Sequence, residues 1–81
     1  MLTFELDASH ECLTIHGSPE GLASLAEALQ RLVASTPDGR ANHDHLMTPE
    51  WGGTGLTADP QGSGPVIHHV QLYCWNTHGR R

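Results

Sequence analysis

The sequence predicts an α+β domain of two layers in the order β-β-α-β-β, one amphipathic helix packed on a small antiparallel or mixed sheet. Three observations predict it. Leu2 to Asp7 (LTFELD) alternates apolar and polar residues, Gly17 to Gly39 carries one helical apolar stripe, and Val66 to Trp75 (VIHHVQLYCW) is the most strand-like run. At 81 residues the chain has room for a single domain, 1–81, because a chain this short buries only about 60–65% of the surface its unfolded form exposes.

In LTFELD, Leu2, Phe4 and Leu6 point one way while Thr3, Glu5 and Asp7 point the other, so an acidic, solvated face is expected opposite the core. Cys12 to His16 (CLTIH) pairs back as the second strand of a hairpin. In GSPEGLASLAEALQRLVASTPDG, Ser18 is a good N-cap, Pro19 fits the first helical position and Glu20 places negative charge at the positive helix end. Leu22, Leu25, Ala26, Leu29, Leu32 and Val33 form the stripe that should face the sheet. The helix should end near Ser35, because Pro37 disfavours helical geometry at Thr36 and Asp38-Gly39 reads as a turn.

Asn42 to Met47 reads as a short strand. Residues 48–65 (TPEWGGTGLTADPQGSGP) are Gly/Pro-rich without periodicity, with an expected ordered half around Trp51 to Leu56 and a looser ADPQGSG tip. The final strand follows, and residues 76–81 are expected to fray. In that strand Val66, Val70, Leu72 and Cys74 share a face with His68, while Ile67, Tyr73 and Trp75 share the other with His69 and Gln71. Both faces are partly apolar. One helix covers only one of them, so the aromatic side needs the Trp51 loop, a second copy of the chain or a different protein as its cover.

Charge narrows the partners. Four arginines, no lysine and nine acids give a formal charge of -5, and two of those arginines are the terminal pair Arg80 and Arg81. Phosphate backbones and anionic lipid need positive surface, so neither nucleic acid nor membrane is expected as a ligand, and a basic protein is favoured. Protonating all seven histidines would take the formal charge to +2, so charge-driven association should weaken as pH falls through roughly 6.5. The N-terminal MLTFELDASH has neither a positive segment before an apolar run nor a small-residue cleavage site, and the chain is expected to be cytoplasmic. Cys12 and Cys74 lie in apolar runs and are expected to be reduced core thiols.

No catalytic constellation is legible. Cys12 and His16 are four apart in a strand, roughly 13 Å, and no GxSxG elbow or GK[ST] phosphate cradle is present. No enzymatic activity and no cofactor are expected. His43 and His45 do stand two apart, so their rings share a strand face, and with His68 or His69 they could hold zinc, with Glu50 or Asp44 considered as a fourth ligand. No zinc signature such as HExxH or paired CxxC supports that alternative. The residues expected to meet a partner are His43, His45, Glu50, Trp51, His69, Tyr73 and Trp75, and a symmetric homodimer through the Tyr73/Trp75 face is a further possibility.

The order of these segments resembles a known family. IHGSPEGLASLAEALQRLVA, HDHLMTPEWGGTGLT and a final β segment are similar to the bacterial immunity protein 32 family, over about residues 15 to 74. Gly17, Glu20-Gly21-Leu22, Leu25-Ala26, Leu29, His43-x-His45-Leu46 and the Gly53 to Leu56 turn carry the resemblance. It implies a non-catalytic α+β protein that binds and neutralises a cognate toxin in the cytoplasm, and it carries over no toxin-contacting residue.

Overall fold

β1 (Leu2–Leu6) pairs antiparallel with β2 (Leu13–Gly17), Leu2 opposite Gly17 and Leu6 opposite Leu13. The computed structural model describes residues 1–62 and 64–77. After the hairpin come α1 (Pro19–Ala34), β3 (Arg40–Met47), a short 3-10 turn at Pro49–Trp51 and β4 (His69–Asn76). This is the predicted α+β fold in β-β-α-β-β order, built as two antiparallel two-stranded sheets, β1-β2 and β3-β4. An isolated bridge between Glu5 and Val66 links the two, and the Ile67 N–H donates to the Phe4 carbonyl at 2.7 Å.

Several boundaries differ from expectation, beginning with β3, which starts at Arg40 and not at Asn42. Cys12 lies outside β2 and is exposed, and Cys74 is half-buried, so neither is a sealed core thiol. The predicted last strand is broken: a bend at His68 separates the Val66 bridge from β4. Ile67 therefore leaves the aromatic side and packs on the core of Leu2, Phe4 and Leu56. Asn76, assigned to the frayed tail, ends β4, and its amide donates to the Thr36 carbonyl and to Asp38 Oδ1, each at 3.2 Å. The rest of that predicted tail, from residue 78 on, lies outside the described residues.

α1 begins as expected. Ser18 Oγ accepts the Gly21 N–H at 3.1 Å and Pro19 occupies the first turn. Gly21 is needed for a further reason: a Cβ there would collide with the Met1 carbonyl, which accepts the Ser18 N–H at 3.0 Å. The buried face of the helix is narrower than the predicted stripe. Ala28 and Leu32 are buried and Leu25 is partly buried, whereas Leu22, Ala26, Leu29 and Val33 are exposed. A sheet two strands wide spans only about 5 Å between strands, too little to cover a stripe that exceeds 100° of the helix surface.

The polar side of β1 also departs from expectation. Thr3 and Glu5 are buried, at 1% and 3% exposure, and Gln61 and Gly62 lie against the Glu5 carboxylate. The Glu5 carboxylate accepts the Thr3 hydroxyl at 2.7 Å, the Gln61 N–H at 2.9 Å and the Gly62 N–H at 3.0 Å. The expected loose tip is thus tied down at Gln61 and Gly62. These donors, the Gln61 N–H foremost and then the Thr3 hydroxyl, hold the Glu5 carboxyl below the ordinary carboxylate range against the opposing effect of burial. At the hairpin, the Cys12 N–H, with the Ser9 hydroxyl and the Glu11 N–H, lowers Asp7 in the same way.

Candidate functional site

The hydrogen-bond parity of the β3–β4 ladder decides what its open face looks like. The His43 N–H donates to Asn42 Oδ1 at 2.9 Å and the His45 N–H to Asp44 Oδ1 at 2.8 Å, both turned away from β4. The pairs His43/Tyr73 and His45/Gln71 are therefore the closely spaced, non-hydrogen-bonded kind, with Cα atoms about 4.5 Å apart and side chains in contact. Ala41/Trp75 and Met47/His69 share that parity. The alternate residues look the other way, toward α1: Asn42 reaches Ser35 Oγ at 3.1 Å, and Leu46 and Val70 pack on the core.

Side chains of the first set form a continuous ladder of rings on the face turned from the helix. Trp51 lies 5.7 Å from His69, His69 4.9 Å from His45, and His45 4.9 Å from His43, centroid to centroid. His43 then stacks on Tyr73 at 5.2 Å and 24°, and Tyr73 on Trp75 at 5.8 Å and 14°. Within the ladder His45 Nδ1 and His69 Nε2 share a hydrogen bond of 2.7 Å. Trp51, Tyr73 and Trp75 remain 57%, 51% and 52% exposed, so the Trp51 loop abuts this face without sealing it.

The turn that delivers Trp51 is rigidly set. Thr48 is fully buried: its N–H donates to the His68 carbonyl at 2.9 Å, its carbonyl accepts from Trp51 and Gly53, and its hydroxyl bonds His68 Nδ1 at 2.7 Å. Gly53 sits so close to β3 that a Cβ there would fall 2.6 Å from Met47 Cβ. Leu56 beyond it is buried and donates to the Met47 carbonyl at 3.1 Å.

Six of the seven sequence-predicted contact residues, His43, His45, Trp51, His69, Tyr73 and Trp75, thus meet in one ladder. Glu50 stands apart from it, its Oε2 3.7 Å from His68 Nε2. That pairing also takes His68 out of the three-histidine set considered for zinc, since His68 turns to Thr48 and Glu50 while His69 stays beside His45. Among the described residues no three His, Cys, Asp or Glu side chains are placed to hold a metal ion. Thr48 is a further residue of the site, its one sequence signal being its position directly before Pro49 at a strand end, and Gln71, expected on the aromatic face, fills the ladder row opposite His45.

Among the described residues no helix is long and apolar enough to cross a membrane. The family model for immunity protein 32 matches residues 13–71, which takes in β2, α1, β3, the Trp51 turn and the first residues of β4. No curated protein and no solved structure matches the chain.

Proposed function

The chain belongs to the immunity protein 32 family, and from that premise we propose that it neutralises a cognate toxin by binding it directly, through the ring ladder and without catalysis. One observation carries the choice of surface. Six contiguous rings, five of them exposed, cover the face of β3–β4 that no other element of the described chain closes. Aromatic rings provide large contact area at low entropic cost and are enriched among residues that dominate binding energy. Arg and Lys side chains of a partner would also stack on them as cations on π faces.

The chain's charge of -5 favours a basic toxin and raises its association rate by steering. It disfavours nucleic acid and anionic membrane as partners. The cytoplasm is the proposed site of action. The test is calorimetric titration of the chain with the toxin encoded beside it. Saturable binding that Tyr73→Ala weakens supports the reading, and no binding at low salt overturns it.

A further inference from the structure

β4 pairs with β3 along one edge, and among the described residues no strand pairs with Gln71 or Tyr73 along its other edge. The backbone groups on that second edge belong to the odd-numbered residues. Those of Pro65 and Ile67 are taken by β1, but among the described residues no strand continues alongside Gln71 and Tyr73. The opposite margin of the same sheet is closed. Asn42 and Asp44 satisfy the outward N–H groups of His43 and His45, and Leu56 occupies the Met47 carbonyl. One edge is blunted against strand addition and the other is not.

The uncovered part of α1 lies on the side of the open edge. Ser24, Ala28 and Arg31 line a cavity with Asp44 and Leu46, so that flank of the helix looks toward β3. At 100° per residue, Ala26, Leu29 and Val33 lie roughly 140–180° around the axis from Ser24 and Arg31, on the side of β4 away from β3, while Leu22 one turn earlier sits against Gly17 of β2. Leu29 and Val33 there border a shallow groove that continues round the helix to Gln30 and Ala34 on the solvent side, and Val33 is 66% exposed.

We propose that the chain forms a two-fold dimer in which β4 pairs antiparallel with β4 of a second copy, Gln71 opposite Tyr73 of that copy, while the Leu29/Val33 flanks of the two helices close over the junction. The occupant of this slot must supply both an unpaired strand edge and an apolar helix flank at matched height, which a second copy does by symmetry. Charge agrees: β4 (HVQLYCWN) and the flank residues Ala26, Leu29 and Val33 hold no Asp, Glu, Lys or Arg, in a chain whose net charge of -5 opposes self-association through most other surfaces. The spacing agrees as well. With strands about 4.8 Å apart and each helix seated over its own strand pair, the two helix axes come about 10 Å apart, the ordinary distance of packed helices. The ring ladder faces away from the helices and stays accessible, so this proposal stands independently of the toxin reading.

Sedimentation equilibrium and amide hydrogen exchange on the full chain test it, with Val33→Glu on the open-edge flank and Ser24→Glu placing equal charge on the β3 flank. The expected result is a dimer that Ser24→Glu leaves intact and Val33→Glu weakens by about tenfold or more, with far-ultraviolet circular dichroism unchanged. In the wild type the Gln71 and Tyr73 amides should become protected as concentration drives dimerisation. A wild-type chain that stays monomeric, a dimer indifferent to Val33→Glu, or Gln71 and Tyr73 amides that exchange freely within the dimer would each overturn the proposal. The wild-type exchange experiment decides alone if Val33→Glu fails to fold. A strand offered by another protein would then be the occupant to seek.

Discussion

Tyr73 stands directly across the strand pair from His43, ring on ring at 5.2 Å, and both side chains face solvent. The contact joins two strands without burying either ring. Stability and binding therefore separate on this face, because the area these rings expose contributes nothing to the folded chain and is free to contribute to a complex.

Alanine at Trp51, Tyr73 or Trp75 should cost the free chain no more than about 1 kcal/mol, as for exposed surface rings that touch neighbouring rings. The same substitutions should weaken toxin binding by about 2–4 kcal/mol where the ring is an anchor. Urea denaturation of each variant beside its calorimetric titration separates the two effects. Equal losses in both would mean that these rings are structural.

Leu32→Ala and Leu29→Ala should differ sharply although both belong to the predicted stripe. Leu32 is 6% exposed and Leu29 44%. Truncating the buried one should cost about 2–5 kcal/mol and the exposed one about 1 kcal/mol or less. Chemical unfolding at concentrations low enough to keep the chain monomeric checks the contrast.

Glu5 should make the fold acid-sensitive. Its carboxyl is held below the ordinary carboxylate range by the Gln61 N–H and its other donors, so the unfolded chain binds its proton at higher pH than the folded one. The stabilisation is complete above the unfolded carboxylate range and is lost as pH falls through the lower folded value. Asp7 shifts in the same direction and adds to the effect. Glu5→Gln should destabilise the chain at neutral pH and flatten the dependence of stability on pH in the acid range, as read from thermal melts across that range.

Thr48→Val should loosen the Trp51 turn. The substitution leaves His68 Nδ1 without its 2.7 Å hydroxyl partner in a half-buried setting, a loss of about 1–3 kcal/mol. Trp51 fluorescence and the urea midpoint should both shift. A shift in the midpoint with unchanged Trp51 emission would show that the turn holds its place without this bond.

Much of this protein is written in local pattern. Period two in LTFELD, the Ser18-Pro19 cap and the Pro37-Asp38-Gly39 stop place β1 and both ends of α1, because these signals act over a few residues through backbone geometry. Alternation in β4 likewise put Tyr73, Trp75 and His69 on one face, and spacing put His43 and His45 on one side of β3. That the two sets share the same side of one sheet followed only from the register, His43 opposite Tyr73, which no short-range signal encodes.

Tertiary structure alone decided three further matters. Glu5 reads as a solvated acid until the loop before β4 supplies the Gln61 and Gly62 N–H groups that make its burial tolerable. Leu29 reads as core until the sheet beneath proves two strands wide. Which edge of β3–β4 is closed depends on Asn42 and Asp44 turning back on their own strand. In each case the deciding partner lies on another element or is selected by the paired register, and burial and edge exposure are properties of that assembly. The sequence by itself determined where the strands and the helix form and which side chains they can present together. The packing of those elements determined which of these side chains water still reaches.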